Sequence, residues 1–387
     1  MGKARFQSNP YPDLVLSHED QALLLDLTNT LVQQNLVQYQ RFVVHDKRQV
    51  DPKQWKHVKS RNDIHVHVRR DDRQALRSTP ADKTTVMLSV GTFPGQMDDL
   101  MLGVMNPTLD SMRLKASYVH DVSDAAILAP ILEPTEEDPF LSVVVKWMQR
   151  DLPLETTNLV KNRDSVYVEA TGVLHFATGE RIGYHLMHSI DFPQTRALPN
   201  VVRGNMSICC MFRQLSENVI DNHSFSILEP GGELPRFLMP PIAAEGLLSA
   251  INYEPCGQMT KLAWLMQQKR PSPVSRTDHN VCVTCSNRVT RGSLGSIGSG
   301  TCRICFDAVC RSCKVRKRVT RIAHDGKLRQ PKRTFCVFCA HEASTLDATE
   351  VARKMARGYG ISKVQSLVAT SSTSSSLADS HQSSYNK

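Results

Sequence analysis

The 387-residue chain lacks several features that would assign it to a large class of proteins. It contains no run of 18 apolar residues, so no segment is expected to cross a membrane as a helix. Its first residues lack the apolar stretch of a secretory signal, and Phe6 stands where a myristoylation motif requires Ser or Thr. We therefore expect a reducing compartment, where paired cysteines bind metal rather than form disulfides.

Enzyme motifs are also absent. The sequence has no Gly-x-Ser-x-Gly elbow, no P-loop, no Gly-x-Gly-x-x-Gly after a predicted strand and no His-Glu-x-x-His. His65 and His67 share one predicted strand face, and an ordinary surface face explains them better than a metal site does. Cys209 and Cys210 are interpreted as core residues. We expect a protein that is not an enzyme and has no catalytic residues.

Charge is distributed unevenly along the chain. Residues 261–344 contain 17 Lys and Arg against 4 Asp and Glu, whereas the rest contains 30 against 34, so the net charges are +13 and −4. A basic module on a near-neutral body suits an acidic partner such as an anionic membrane, a nucleic acid or an acidic protein. No aromatic residue interleaves the basic run from Lys314 to Arg333, which argues against nucleic acid.

Hydrophobic periodicity predicts helices and strands in the first two thirds of the chain. Ser17 and Asp20 have capping-box spacing before a helix that carries Leu24, Leu27 and Leu31. A short helix is expected over 95–105, and a longer one from Pro241 to Gln268 with an interruption near 255–257. Alternating apolar residues predict strands around 64–68, 86–90, 141–149, 164–176, 181–190, 205–213 and 219–228. Successive hairpins imply a curved antiparallel sheet.

Composition suggests how the chain is divided. The final helix is expected from Ser344 to Arg357, with Leu346, Val351 and Met355 on one side. From Ser371 onward 8 of 17 residues are Ser, which is typical of disorder. The expected segments are a loose leader (1–17), a large domain (18–268), a linker (269–280), a cysteine-rich module (281–344), a helix (345–360) and a disordered tail (361–387).

Eight of the eleven cysteines form four Cys-x-x-Cys pairs. The pairs begin at Cys282, Cys302, Cys310 and Cys336. Eight thiolates make two closed four-sulfur sites, which select zinc or an iron–sulfur cluster and leave no position open for catalysis. The module is poor in apolar residues, and structural zinc contributes on the order of 10 kcal/mol or more. We therefore expect two structural Zn2+ ions.

All-Cys ligands and the four-residue gap between Cys305 and Cys310 resemble a FYVE finger over residues 276–344. A RING finger, with its shorter gap and its usual ligand histidine, resembles the module less. The FYVE resemblance implies that the first and third pairs share one zinc and the second and fourth share the other. The implied ligand sets are Cys282, Cys285, Cys310 and Cys313 for the first zinc, and Cys302, Cys305, Cys336 and Cys339 for the second.

The phosphoinositide motifs of that family are only partly present. Cys302 and Arg303 match the end of the basic motif at the third cysteine position, and Arg333 lies one place too early for the last motif. The resemblance places Leu294 and Ile297 in the tip that inserts into membranes, and each nearby basic residue is worth ~1 kcal/mol at an anionic leaflet. The candidate membrane residues are Leu294, Ile297, Arg303, Lys314, Arg316, Lys317, Arg318 and Arg333.

The order of predicted elements is helix, three strands, short helices, six strands and a long C-terminal helix. With Lys115 to Val119 and Asp138 to Trp147, this α+β helix-grip order resembles a START lipid-transfer domain over residues 18–268. The resemblance implies an apolar cavity for a lipid, closed by the C-terminal helix, with lining residues that the sequence does not assign. The alternative is a cavity filled by the domain's own side chains.

Three functional hypotheses follow from these patterns. The first is a non-enzymatic adaptor in the cytoplasm that binds a lipid and docks peripherally on endosomal or other internal membranes through its finger. The second is a FYVE-related interaction finger that binds a small GTPase or another protein without phosphoinositide. The third is a RING-like ubiquitin ligase, against which the absence of a ligand histidine argues.

Overall fold

The protein is described from a computed structural model. The described residues are 9–70, 84–119, 122, 124–150, 161–234, 236–269, 281–289, 300–323 and 325–358. Most of the expected linker and all of the expected tail therefore lie outside the described residues. The predicted limits of these segments stay predictions.

One large sheet dominates residues 55–229. Its strands are β1 (Trp55–Arg61), β2 (Asp63–Arg69), β3 (Thr85–Pro94), β4 (Asp124–Leu132), β5 (Ser142–Arg150), β6 (Arg163–His175), β7 (Arg181–Ser189), β8 (Val202–Arg203), β9 (Asn205–Ser216) and β10 (Val219–Glu229). The spatial order is β1-β2-β3-β10-β9-β7-β6-β5-β4, with antiparallel neighbours throughout, and the two-residue β8 pairs in parallel with β6.

Helices cover both faces of this sheet. They are α1 (His18–Val44), α2 (Met97–Val104), α3 (Leu109–Val119), α4 (Met239–Leu248) and α5 (Tyr253–Gln268). On one face, Val32, Leu36 and Tyr39 of α1 form a buried cluster with residues of β5, β6, β7 and β9. On the other face, residues of α2, α3, α4 and α5 form the largest core cluster. The predicted α+β helix-grip architecture is confirmed.

Strand β5 shows why these strands appear as apolar runs in the sequence. Val145 and Trp147 belong to the clusters on the α1 side, whereas Met148 belongs to the opposite core. Because helices cover both faces, neighbouring residues of β5 are buried on opposite sides and the strand lacks a polar face. Lys146 is the charged exception, and its side chain is only 1% exposed.

The start of the domain is more ordered than a loose leader would be. The predicted capping box is confirmed, because Ser17 Oγ accepts from Asp20 N–H at 3.0 Å and Asp20 Oδ2 accepts from Ser17 N–H at 3.1 Å. Tyr11 and Leu14 are also buried, and the Tyr11 hydroxyl donates to Arg196 O at 2.7 Å. The prediction of a loose leader is therefore wrong for these two residues.

The interruption of the second long helix lies earlier than predicted. Residues Ser249–Asn252 form a 3-10 turn between α4 and α5, and α5 runs unbroken through residues 255–257. Pro255 lies in the first turn of α5, where its missing N–H would have had no helical partner. Gly257 is retained inside the helix because a Cβ there would lie 1.8 Å from the carbonyl oxygen of Asp99 on α2.

Short strand pairs build the cysteine module. They are β11 (Gly300–Thr301) with β12 (Ala308–Val309), β13 (Val315–Arg318) with β16 (Lys332–Phe335), and β14 (Arg321–Ile322) with β15 (Leu328–Arg329). Helix α6 (Val337–Thr345) begins within the last cysteine pair, with Cys336 as its N-cap and Cys339 in its first turn. Helical residues 348–358 form a further element, α7.

The single final helix predicted from Ser344 to Arg357 is thus two helices. The helix is interrupted at Leu346 and Asp347. There Asp347 Oδ1 accepts from Thr349 N–H at 2.7 Å and caps α7. The apolar side of α7 returns to the larger domain, because Ala348, Val351 and Ala352 are part of its main core cluster.

Candidate functional site: two thiol clusters and an apolar cavity

The structure gathers the eight paired cysteines into two groups. Cys282, Cys285, Cys310 and Cys313 form the first, and Cys302, Cys305, Cys336 and Cys339 form the second. Within each group the four sulfur atoms lie within 4.8 Å of one another. These are the sets that the FYVE resemblance implies, so each group can hold one metal ion.

The sulfur spacing fits zinc. A tetrahedral ion with Zn–S bonds of ~2.3 Å sets its ligand sulfurs about 3.8 Å apart. The Sγ atoms of Cys285 and Cys310 are 3.7 Å apart, and those of Cys305 and Cys336 are 4.0 Å apart. A disulfide requires about 2.05 Å. Zinc, when bound, would supply a closed structural centre at each group, held by the four thiolates.

Two of the cysteine pairs form matching turns. Ser286 and Phe306, each directly after the second cysteine of its pair, have φ values of 58° and 65°. In each turn the N–H of that residue bonds to the carbonyl of the first cysteine. This repeated turn brings both thiols of a pair to one side of the chain.

Backbone N–H groups point at the sulfurs. Cys310 N donates to Cys282 Sγ at 3.4 Å, and Cys339 N donates to Cys336 Sγ at 3.3 Å. Burial raises the pKa of the Cys282 thiol, but N–H groups directed at the sulfur outweigh burial and lower the pKa to about 6. This thiol is therefore prepared to bind metal as the thiolate.

The cysteine-rich module (281–344), hereafter called the finger, is packed against helices of the larger domain. Leu262 and Leu265 of α5 are part of the finger's own buried cluster. Lys261 of α5 donates to Ser344 O at 2.8 Å and to Leu346 O at 3.0 Å, and it forms a 2.6 Å ion pair with Asp99 of α2. The end of α6 is thereby joined to two helices of the helix-grip domain.

Helix α3 makes a second contact with the finger. The hydroxyl of Tyr118 accepts from Thr320 N–H at 2.7 Å, and the Ser117 and Thr320 hydroxyls are 2.7 Å apart. Arg113 donates to Gly326 O. The segment between β13 and β15 is therefore attached to α3.

The candidate membrane residues are only partly placed. Leu294 and Ile297 lie outside the described residues. Arg316, Lys317 and Arg318 lie on β13 and Arg333 on β16, where Lys317 is opposite Arg333. Burial and the nearby Arg303 and Arg321 lower the pKa of Arg333.

Basic side chains lie on both faces of the β13–β16 pair, with Arg316 and Arg318 on one face and Lys317 and Arg333 on the other. Among the described residues, no carboxylate lies within ion-pair distance of Arg316, Lys317, Arg318 or Arg333. Lys314 directly precedes β13, and Arg303 N–H bonds to Thr334 O of β16 at 3.0 Å. None of the described helices is both long enough and apolar enough to cross a bilayer.

The helix-grip domain contains a cavity of about 530 Å³. It lies between the inner face of the sheet and the segment from α4 to the start of α5, and such volumes suit a small hydrophobic ligand. The apolar lining is rich in flexible methionines, which adapt to irregular ligands. It includes Met148, Met187, Met206, Ile208, Leu228, Met239, Ile242 and Leu247.

A buried charged cluster lies beside this cavity, and sequence reasoning missed it. Lys146 contacts Glu169 and donates to Asn106 O at 2.7 Å, while Glu169 is 2.7 Å from His185. Burial would raise the pKa of Glu169, but Lys146 and Lys115 outweigh burial and hold the pKa well below its ordinary value. Burial lowers the pKa of His185. The visible signal was a lysine in an otherwise apolar strand.

Comparisons with known proteins give structural likeness only. No protein-family model matches the chain, and a search of curated proteins gave no significant match. The chain is similar to human StAR-related lipid transfer protein 5, with 15% identity, 62% of this chain and 98% of that chain covered, and a TM-score of 0.43. It is also similar to human STARD10, with 14% identity, 60% and 89% coverage, and a TM-score of 0.38. Likenesses this distant carry no functional inference.

Proposed function

We propose that this protein is a lipid-binding adaptor that docks on membranes and does not act as an enzyme. The helix-grip domain holds a hydrophobic ligand, and a zinc-loaded finger of the FYVE type attaches the protein to an anionic membrane surface. The proposed location is the cytoplasmic side of endosomal or other internal membranes.

The cavity is the observation that carries this proposal. About 530 Å³ of space lies between the sheet and α4, and apolar side chains of both make up most of its wall. A space of this size with apolar walls favours an occupant with aliphatic chains over a polar metabolite. Lipid is the class of ligand that combines those properties.

The basic strand pair of the finger supports the docking step. Directly opposite like charges destabilise a strand pair, and β13 and β16 have two such pairs, Lys317 with Arg333 and Arg318 with Lys332. An anionic surface would relieve this repulsion, and each basic residue near it would contribute ~1 kcal/mol. Because the phosphoinositide motifs of the FYVE resemblance are only partly present, we propose attraction to anionic lipid in general.

Vesicle flotation tests the docking step. The zinc-loaded chain should float with vesicles that contain phosphatidylserine and remain unbound with pure phosphatidylcholine vesicles. Arg316→Gln with Arg318→Gln removes two of these contributions and should weaken vesicle binding about thirtyfold, while Arg69→Gln on β2 serves as the matched control. Equal recovery with both kinds of vesicle, or with no vesicles at all, would contradict this part of the proposal.

A protein-binding finger is a second candidate because its surface exposes apolar side chains. Val337 and Phe338 are 44% and 60% exposed at the start of α6. Large exposed apolar side chains suit a protein partner, such as a small GTPase. Pull-down with GTP-loaded and GDP-loaded GTPases, compared between the native chain and Phe338→Ser, would support this function if capture depended on both nucleotide and Phe338.

A further inference from the structure

Two arginines lie opposite each other on the sheet wall of the cavity. Arg150 ends β5 and Arg163 begins β6, and the two are direct partners in the antiparallel ladder. Both line the cavity. Like charges directly opposite on a strand pair repel each other, so this arrangement costs stability unless an anion lies between them.

Neither arginine has a carboxylate partner among the residues that the structure describes. Arg150 makes no hydrogen bond or ion pair there, and its Nε is shielded from solvent without a partner. Within this described part of the chain, the Arg163 side chain donates only to main-chain carbonyls, from Nε to Pro230 O at 3.3 Å and from Nη1 to Lys161 O. A shielded N–H donor without an acceptor costs free energy, which a bound acceptor would recover.

Some other arginines of the same domain, by contrast, are paired with carboxylates. Arg61 also lines the cavity, but Glu245 accepts from it at 2.8 Å and also contacts Lys59. Arg203 is paired with Asp164 at 3.0 Å. The remaining cavity carboxylate, Glu229, is exposed and accepts from Thr84 at 3.4 Å. Among the residues that the structure describes, the positive charges of Arg150 and Arg163 are therefore left without a carboxylate partner.

We propose that the cavity takes an amphiphile whose headgroup is an anionic phosphate or carboxylate, and that Arg150 and Arg163 bind this headgroup. The assignment rests on the proposed function, because it requires a lipid in the cavity. Guanidinium groups bind both anions through paired N–H donors. Met148 and Met206 line the same cavity and would contact the aliphatic part.

Ligands matched in chain and different in headgroup test the assignment. Binding to the full zinc-loaded chain is measured by calorimetry for palmitate against hexadecanol, and for 1-palmitoyl-lysophosphatidic acid against 1-palmitoylglycerol. At least one anion should bind about tenfold more tightly than its neutral match. Which pair shows the difference identifies the carboxylate or the phosphate as the headgroup.

Variants then connect the preference to the two arginines. Arg150→Gln with Arg163→Gln should remove the tenfold preference and leave affinity for the neutral ligand unchanged, while Arg69→Gln should keep the preference. Ala243→Phe, which narrows the cavity, should weaken all four ligands. The preference of the native chain for anionic over neutral ligands can be measured even if a variant does not fold.

The outcomes separate this assignment from the function on which it rests. Equal affinity for anionic and neutral ligands, with Ala243→Phe weakening both, would overturn the headgroup assignment and leave the lipid cavity standing. A tenfold preference that survives Arg150→Gln with Arg163→Gln would also overturn it. Absence of binding by all four ligands would contradict the lipid-binding function and the headgroup assignment together.

Discussion

The helix-grip domain and the finger bury very different cores. The domain buries apolar side chains on both faces of a sheet, including Tyr39, Leu100, Tyr167 and Phe212. The finger has one small buried cluster, in which four members are cysteines and two, Leu262 and Leu265, come from α5. Packing alone can therefore stabilise the larger region, whereas we expect the finger to depend on metal and on a helix of the larger region.

This difference matters for function because the two regions share helices. α5 contributes Tyr253 to the cavity and Leu262 to the finger. α3 contributes Val119 to the cavity, and its Tyr118 contacts Thr320. A structural change at the metal centres can therefore be transmitted to the cavity wall through α3 and α5.

Metal removal should produce the largest difference in stability between the two regions. A strong chelator, or Cys302→Ser with Cys339→Ser, should unfold the finger, because structural zinc contributes on the order of 10 kcal/mol. Hydrogen exchange should rise throughout residues 300–345 and remain slow in β6, β7 and β9. Cys256→Ala is the matched control, since this cysteine lies outside both thiol clusters. Loss of protection in both regions together would mean that the helix-grip domain also depends on metal.

Lys261 tests the junction between the two regions. Lys261→Met should cost about 3–5 kcal/mol in urea unfolding, because it leaves Asp99 as an uncompensated buried carboxylate. Burial already raises the pKa of Asp99. Lys269→Met on the same helix breaks the exposed pair with Glu342 and should cost at most about 1 kcal/mol.

A double variant shows whether charge is the cause. Asp99→Asn combined with Lys261→Met leaves no unpaired charge and should recover part of the lost stability. If the double variant were as unstable as Lys261→Met alone, the contacts of Lys261 with Ser344 O and Leu346 O would account for the loss instead.

Acid should act on the two regions through different groups. Burial beside Tyr39 and Phe42 lowers the pKa of His223 to about 4, against an ordinary value of 6.5, although Asp221 opposes the shift. The folded state therefore resists a proton that the unfolded chain accepts. As pH falls from about 6.5 to about 4, about 3 kcal/mol of stability should be lost.

Region-resolved hydrogen exchange checks this pH dependence. His223→Phe should remove the acid sensitivity of β3 and β10, whereas exposed His341→Gln should not. The finger should still lose protection on acidification in both variants, since protons compete with zinc for thiolates. If hydrogen exchange in β10 of His223→Phe depended on pH as it does in the native chain, His223 would not be the source of the acid sensitivity.

The smallest effect is expected at the start of α1. Ser17→Ala removes the side chain that accepts from Asp20 N–H and should cost about 1 kcal/mol. Ser17→Gly should cost only a few tenths of that amount. Thermal unfolding of the zinc-loaded chain would measure both, and a larger loss for Gly than for Ala would contradict a capping role.

Local patterns predicted much of this molecule. Ser17 and Asp20 predicted the start of α1, alternation predicted β2 and β3, and cysteine spacing with the FYVE resemblance implied the two thiol groups. The predicted helix interruption at residues 255–257 was wrong. Pro255 and Gly257 are residue types that often end helices, and the sequence does not reveal that Gly257 lies against the backbone of α2. Asp347 was missed as a helix cap because the flanking residues continue a helical pattern.

The cavity could not be read from the sequence for a physical reason. A one-residue change in register moves every side chain of a strand to the other face, so the inward position of Met148 and Arg150 depends on pairing. The opposition of Arg150 and Arg163 likewise requires the register across two strands. Lys146 and Glu169, 23 residues apart, meet only once that register is formed.

Native mass spectrometry of the purified full chain tests the central claim most directly, because it reports metal and ligand in one spectrum. The account predicts a 43.3 kDa chain that carries two zinc ions and a co-purified amphiphile, with the zinc lost to a chelator while the helix-grip domain stays folded. A chain that is folded throughout residues 281–345 without zinc, and that carries no amphiphile and accepts none when one is added, would contradict it.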